Sequence, residues 1–379
     1  MTLIIKDEPH SIEYHIRNIS LEDADKLRLA GQVFYDFTKL TAINTCPTFG
    51  VLRYALHRTD YPLTSGGRRL AVECGSACHD FFAALRLWSL GEIQNGKLLL
   101  APEIYKHGMH LFGDERMAEM LAVPQDSDRV NNAQLFALSA LHTSGYYDDP
   151  SDRKRTMSNM ETACLAYADR YLASDKPVLV RDGIIGIEIP FVLEVTKMRN
   201  SKVSFGDGPA WTKNEVQYYC GRIDGIHQYG SHAIVGENKT AAQLSQSWKN
   251  SFAISHQVTG YTIAGTCILN EDVFNAEVMG TQIPLPRDAY NGVVFQPESR
   301  TESDRLRWCE WFFQGIATYE RYVSRPHEAP RYSHSCNRYF SACEFIPFCS
   351  LTREEQSDAV ESMRIEEWSP LNHLQEKEV

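Results

Sequence analysis

A lone aspartate in Gly221-Arg222-Ile223-Asp224-Gly225 precedes an acid and a lysine two positions apart in Gly236-Glu237-Asn238-Lys239-Thr240. Two carboxylates and an ammonium converging on one small volume can hold a divalent cation beside a scissile phosphate. Hard cations such as Mg2+ or Mn2+ take oxygen ligands. A bound cation lowers the pKa of its water and offsets the charge that builds on the phosphate. Lys239 would orient that water or neutralise the pentavalent intermediate. The chemistry expected of these residues is metal-dependent phosphodiester hydrolysis.

The elements that must position them can be read locally. Glu215 to Tyr229 is rich in β-branched and aromatic residues and predicts a strand. His232 to Thr240 predicts its partner, joined through Gln228-Tyr229-Gly230-Ser231. Residues two apart on a strand share a face, so Glu237 and Lys239 project together while Asn238 points away and offers its backbone carbonyl as a metal oxygen. Asp224 reaches the same spot if the hairpin register allows it. Upstream, Gly75-Ser76-Ala77-Cys78-His79 opens an apolar segment through Phe81, Phe82, Leu85, Leu87 and Trp88, read as a helix over 71–90. Gly75 and His79 then lie one turn apart, where the glycine admits a close backbone and the imidazole can bind metal. Downstream, Gln257 and Tyr261 share a face of a helix expected from Trp248 to about Cys267.

The order Gly-x-x-x-His, Asp, Glu-x-Lys, Gln-x-x-x-Tyr resembles the RecB-like branch of the PD-(D/E)xK nuclease superfamily. The resemblance implies an α/β, restriction-endonuclease-like fold: a central mixed sheet flanked by helices. It makes His79, Asp224 and Glu237 metal ligands, Lys239 the catalytic lysine, and Gln257 with Tyr261 the motif that contacts DNA. Glu188, in Gly186-Ile187-Glu188-Ile189-Pro190, matches an acid found on the strand before the catalytic hairpin and is a further candidate ligand. The implied partner is DNA, with any helicase or recombination protein a separate chain, and the implied activity is exonucleolytic.

Ten cysteines occur in 379 residues, three of them as Cys336-x6-Cys343-x5-Cys349, with Cys46 far upstream. The chain shows no export signal, and in that setting such a cluster reads as metal ligands rather than disulfides. Four thiolates can hold zinc or an iron-sulfur cluster, and spacing alone does not decide between them. A subset of RecB-like nucleases resembles this layout and closes one cysteine ahead of the core and three behind it around a 4Fe-4S cluster. The trio there is Cys-x2-Cys-x5-Cys, so the first gap here departs from the pattern. Cys74, Cys78, Cys164, Cys220, Cys267 and Cys309 are expected as small buried hydrophobes.

Hydrophobic residues make up 43% and charged residues 23%, an ordinary globular balance. No apolar run approaches the roughly 20 residues of a membrane span, and the N-terminus lacks the basic start and apolar core of a signal peptide. The expectation is no membrane and a cytoplasmic location, in the host if virus-encoded. The net charge of -11 argues at first against DNA. More than half of it, -6, falls in an acidic tail over 354–379. Basic residues at Arg53, His57, Arg58, Arg68 and Arg69, and at Arg321, Arg325 and Arg331, are candidates to line a DNA channel. The expected organisation is an entry segment with the histidine helix over 1–90, a helical insertion over 91–178, a nuclease core over 179–325, a cysteine region over 326–353 and the tail. The alternative to a nuclease is a non-catalytic DNA-end or partner-binding module of the same fold with a structural metal cluster.

Overall fold

The computed structural model describes residues 1–7, 10–59, 70–201, 212–338, 341–366 and 369–373. Arg68, Arg69 and the tail beyond 373 lie outside the described residues. The fold is α/β, with a mixed sheet flanked by helices. Eight strands build it: β1 (Thr2–Asp7), β2 (His10–Ile19), β3 (Phe34–Tyr35), β4 (Ile187–Ser201), β5 (Thr212–Tyr229), β6 (His232–Ala241), β7 (Asn275–Gln282) and β8 (Val293–Ser299). Their order is β1-β2-β4-β5-β6-β7-β8, with β3 pairing β5 off that path. The β6–β7 and β3–β5 pairs are parallel, while β1–β2, β2–β4, β5–β6 and β7–β8 are antiparallel.

Two compact units divide the chain, one of 1–68, 192–221 and 302–374, the other of 69–191 and 222–301 with the last residues. β4 and β5 therefore run through both, and neither unit is a continuous stretch. The expected nuclease core over 179–325 is divided accordingly. Sequence patterning senses local periodicity, and a strand that serves two cores carries no local mark of the division.

In the second unit, α1 (Leu70–Ser89), α2 (Arg129–His142) and α3 (Met157–Ala173) form the scaffold. On α1, Cys74, Ala77, Cys78, Phe81, Phe82 and Leu85 recur at helical spacing and are all buried. Phe82 packs against Tyr167 of α3 with ring centroids 4.2 Å apart, and truncating such a ring to alanine costs about 3–5 kcal/mol. The helical segment expected as an insertion shares one apolar core with α1, Ile187, Met279 and Val293. α4 (His256–Leu269) also belongs to this unit. The single helix expected from Trp248 breaks, because the Ser251 hydroxyl bonds the Trp248 carbonyl at 2.6 Å and Ser255 caps α4 by accepting from the Val258 N–H. Side chains of this kind compete with helical backbone bonds.

In the first unit, α5 (Glu302–Val323) stacks Trp308 and Phe312 on each other and sets both edge-on to Tyr219 of β5. The acidic tail is partly folded within this unit. Thr352 and Glu355 form a capping box on the helix Arg353–Ser362, and Ala359 and Met363 join Leu52, Phe345 and Phe348 in a small core. Among the described residues no helix is long and apolar enough to cross a membrane.

Candidate active site

All the residues singled out around the acid-x-lysine pattern lie in the second unit. The hairpin register runs from Tyr229↔His232 to Gly225↔Gly236 across the two-residue turn Gly230-Ser231. One step further the Asp224 carboxylate takes the place of a ladder partner, as its Oδ2 accepts the Asn238 N–H at 2.6 Å. Glu237 and Lys239 do share a face, with Nζ 2.5 Å from Oε1. The Asn238 side chain points the other way and accepts from Arg86 Nη2 at 3.1 Å and Tyr167 Oη at 3.0 Å. The N–H and C=O of an extended residue point to one side of the strand, so the Asn238 carbonyl is directed to the side on which Asp224 lies.

His79 meets this group from α1. Its Nδ1 is 3.6 Å from Asp224 Oδ1 and 3.9 Å from Glu188 Oε1. Donor atoms of His79, Glu188 and Asp224 all fall within 4.8 Å of one another, a grouping able to hold a metal ion. Gly75 does not admit a close backbone here, since an added Cβ would make an ordinary 3.6 Å contact with the Thr240 hydroxyl. The close approach occurs at Gly186, where a Cβ would collide with the Ile226 carbonyl oxygen. The Ile226 N–H bonds the Gly186 carbonyl at 3.0 Å, which holds the start of β4 against β5 and sets Glu188 beside Asp224. Glu188 itself has φ 47, a left-handed conformation that a non-glycine residue adopts at a cost of about 1–3 kcal/mol.

Gln257, in the first turn of α4, donates through Nε2 to Glu237 Oε1 at 2.9 Å and to the Tyr261 hydroxyl at 3.1 Å. Tyr261 is buried and packs edge-on to Phe191. Two carboxylate oxygens, Glu188 Oε1 and Glu237 Oε2, are buried without a hydrogen-bond partner. Buried carboxylate oxygens left without donors are costly, and a cation among them would relieve that cost.

The electrostatics follow from three acids packed together out of water. Burial raises the Asp224 pKa and Glu188 raises it further, against the pull of His79 and Lys239. Burial and the neighbouring Asp224 push Glu237 up to about 7, with Lys239 pulling the other way. Burial lowers the His79 pKa, but the charges of Asp224, Glu188 and Glu237 outweigh it and lift the imidazole to about 9. Lys239 is likewise raised, burial being overcome by Glu237 and Asp224. The cluster holds protons that a divalent cation would displace.

Sequence reasoning missed Arg86. It is fully buried on α1, donates to the Asp224 backbone carbonyl at 3.3 Å and to Asn238, and lies over the Tyr171 ring. It thus ties α1 to both acid-bearing strands. The available signal was an arginine inside an apolar helical run, seven residues after His79 and so on its face.

The remaining four candidates lie in the first unit. Cys46, Cys336, Cys343 and Cys349 all line one cavity of about 290 Å3, with Phe49, Arg331 and Phe345 among its other walls. No cysteine forms a disulfide. Cys46 occupies the kink between the helices Phe37–Thr45 and Pro47–Tyr54. The x6 gap is explained by a hairpin pairing Asn337↔Ala342 and Arg338↔Ser341, after which the Cys343 N–H bonds the Cys336 carbonyl at 2.7 Å. Burial and the thiols of Cys46 and Cys336 raise the Cys343 pKa. Burial and Cys46 push Cys349 up to about 11 against the pull of Arg331. Of the other cysteines, Cys74, Cys78, Cys164, Cys220 and Cys309 are buried and Cys267 is half-buried.

Five of the basic residues offered for a DNA channel have partners within the chain. Arg53 is buried and pairs with Glu366 at 3.1 Å, and Arg58 donates to the Met363 carbonyl. Arg325 pairs with Glu328, Arg321 lies against Tyr322, and Arg331 donates to the Cys349 carbonyl. No protein-family model matches the chain, and a search of curated proteins returns no match.

Proposed function

We propose that the chain is a metal-dependent deoxyribonuclease of the PD-(D/E)xK type, acting as an exonuclease on DNA with Mg2+ or Mn2+. The observation that carries this reading is the convergence of His79, Glu188 and Asp224 donors within 4.8 Å, beside a Glu237–Lys239 pair on the adjacent strand. His79, Glu188, Asp224 and Glu237 would hold the cation, with the Asn238 carbonyl directed to the same side. When bound, the cation would polarise the phosphate and lower the pKa of a water. Lys239 keeps about a third of its side chain exposed, so its ammonium can meet an incoming phosphate and offset negative charge as it develops. The α/β architecture with a mixed sheet is compatible with a restriction-endonuclease-like core.

For the first unit the reading is a structural 4Fe-4S cluster on Cys46, Cys336, Cys343 and Cys349. What supports a metal group here is that the four thiols line one cavity, and four thiolates can hold tetrahedral zinc as well as a cluster.

Incubation with Mn2+ and end-labelled linear DNA, beside covalently closed circular DNA, tests the activity. Linear DNA shortened from its ends with circles left intact is the expected result. DNA bound but uncut with every cation would instead identify a binding module.

A further inference from the structure

We infer that Gln257 is a positioning residue for Glu237, fixing it to offer a single oxygen to the cation. The inference rests on the metal-site reading above. The two oxygens of Glu237 stand in opposite circumstances. Oε1 is engaged twice, by Lys239 Nζ at 2.5 Å and by Gln257 Nε2 at 2.9 Å. Oε2 is buried and has no hydrogen-bond partner. The two donors take the two acceptor positions of Oε1, so Oε2 is the oxygen left for the metal.

Gln257 is itself fixed. It stands in the first turn of α4, behind the Ser255 cap, and the same Nε2 reaches the Tyr261 hydroxyl one turn on. Tyr261 is held in turn by Phe191 at the base of β4. The run from Phe191 through Tyr261 and Gln257 to Glu237 is therefore a continuous brace between β4, α4 and β6. The amide nitrogen of Gln257 is committed within this brace. The role inferred for Gln257 is to orient a ligand, in place of the DNA contact that the sequence resemblance assigns it.

Titration calorimetry of the DNA-free protein with Mn2+, together with fluorescence anisotropy of DNA binding in EDTA, separates the two roles. Loss of a group that orients a metal ligand weakens metal affinity by about tenfold to a hundredfold. Gln257→Leu is expected to bind Mn2+ weaker by that factor and to bind DNA in EDTA as the wild type does. Tyr261→Phe, which leaves the Glu237 bond in place, is expected to show a smaller loss of Mn2+ affinity. Unchanged Mn2+ affinity in Gln257→Leu with weakened DNA binding overturns the inference and returns Gln257 to the DNA. Absence of Mn2+ binding by the wild type overturns this inference together with the metal-site reading, whereas unchanged affinity in Gln257→Leu alone leaves that reading standing.

Discussion

Asp224 Oδ2 accepts the backbone N–H of Asn238 at 2.6 Å, so a carboxylate from one strand fills the place of a ladder bond to the next. The same side chain turns its other oxygen to His79 Nδ1 at 3.6 Å. Asp224 thus both closes the end of the hairpin and contributes to the candidate metal site. Asp224→Asn keeps a carbonyl acceptor for Asn238, while Asp224→Ala strands a buried N–H, which costs about 1–3 kcal/mol. In urea unfolding the alanine variant is expected to be the less stable of the two by that margin, with both losing Mn2+ binding. Equal stability would show that the Asn238 contact contributes nothing.

The raised pKa values predict how the metal-free protein responds to pH. His79 at about 9 in the fold exceeds its unfolded value near 6.5, so its stabilisation is full below pH 6.5 and is lost as pH rises through 9. Glu237 at about 7 exceeds its unfolded value near 4.5, so ionising it in the fold is unfavourable and the penalty grows between pH 4.5 and 7. Metal-free stability should therefore fall steadily from pH 4.5 to 9. Mn2+ needs both groups deprotonated and should raise Tm more at pH 9 than at pH 6. Thermal melts with Mn2+ or EDTA across that range check both signs, and a Tm increment independent of pH would contradict them.

His79 lies at the edge of the cluster with about 30% of its side chain exposed, so removing it leaves the core of α1 intact. His79→Ala is expected to fold, to bind Mn2+ more weakly by about tenfold or more, and to regain cleavage at high Mn2+. A variant that unfolds without recovery would mark His79 as a packing residue.

Several parts of this arrangement were legible in the sequence, and the reasons differ by residue. The β5–β6 hairpin and α1 follow from alternation and helical spacing, and the pleat alone put Glu237 and Lys239 on one face. The break before α4 was hidden because Ser251 and Ser255 act through local hydroxyl bonds that a hydrophobic pattern does not register. Glu188 joins the triad because Gly186 brings β4 against Ile226, a contact between residues 40 positions apart that local patterning does not register. The long gap after Cys336 departed from the expected spacing because spacing counts residues, whereas a hairpin returns the chain to its start.

The cysteine reading predicts brown protein from anaerobic purification. Changing Cys46, Cys336, Cys343 or Cys349 to Ser should bleach it and lower Tm, because ligand binding is coupled to folding. Changing Cys164 or Cys267 should leave the colour unchanged. Iron and zinc analysis decides the metal: stoichiometric zinc without iron would reject the 4Fe-4S cluster while leaving the nuclease reading intact.

In the proposed nuclease, the Asp224, Glu237 and Lys239 side chains would carry metal-dependent DNA cleavage. The most direct measurement is the rate of degradation of end-labelled DNA in Mn2+ by the wild type, Asp224→Asn, Glu237→Gln and Lys239→Ala, each shown by circular dichroism to be folded. The expected result is cleavage by the wild type that EDTA abolishes, with losses on the order of a hundredfold or more in every variant. Cleavage by all three variants at the wild-type rate would contradict it.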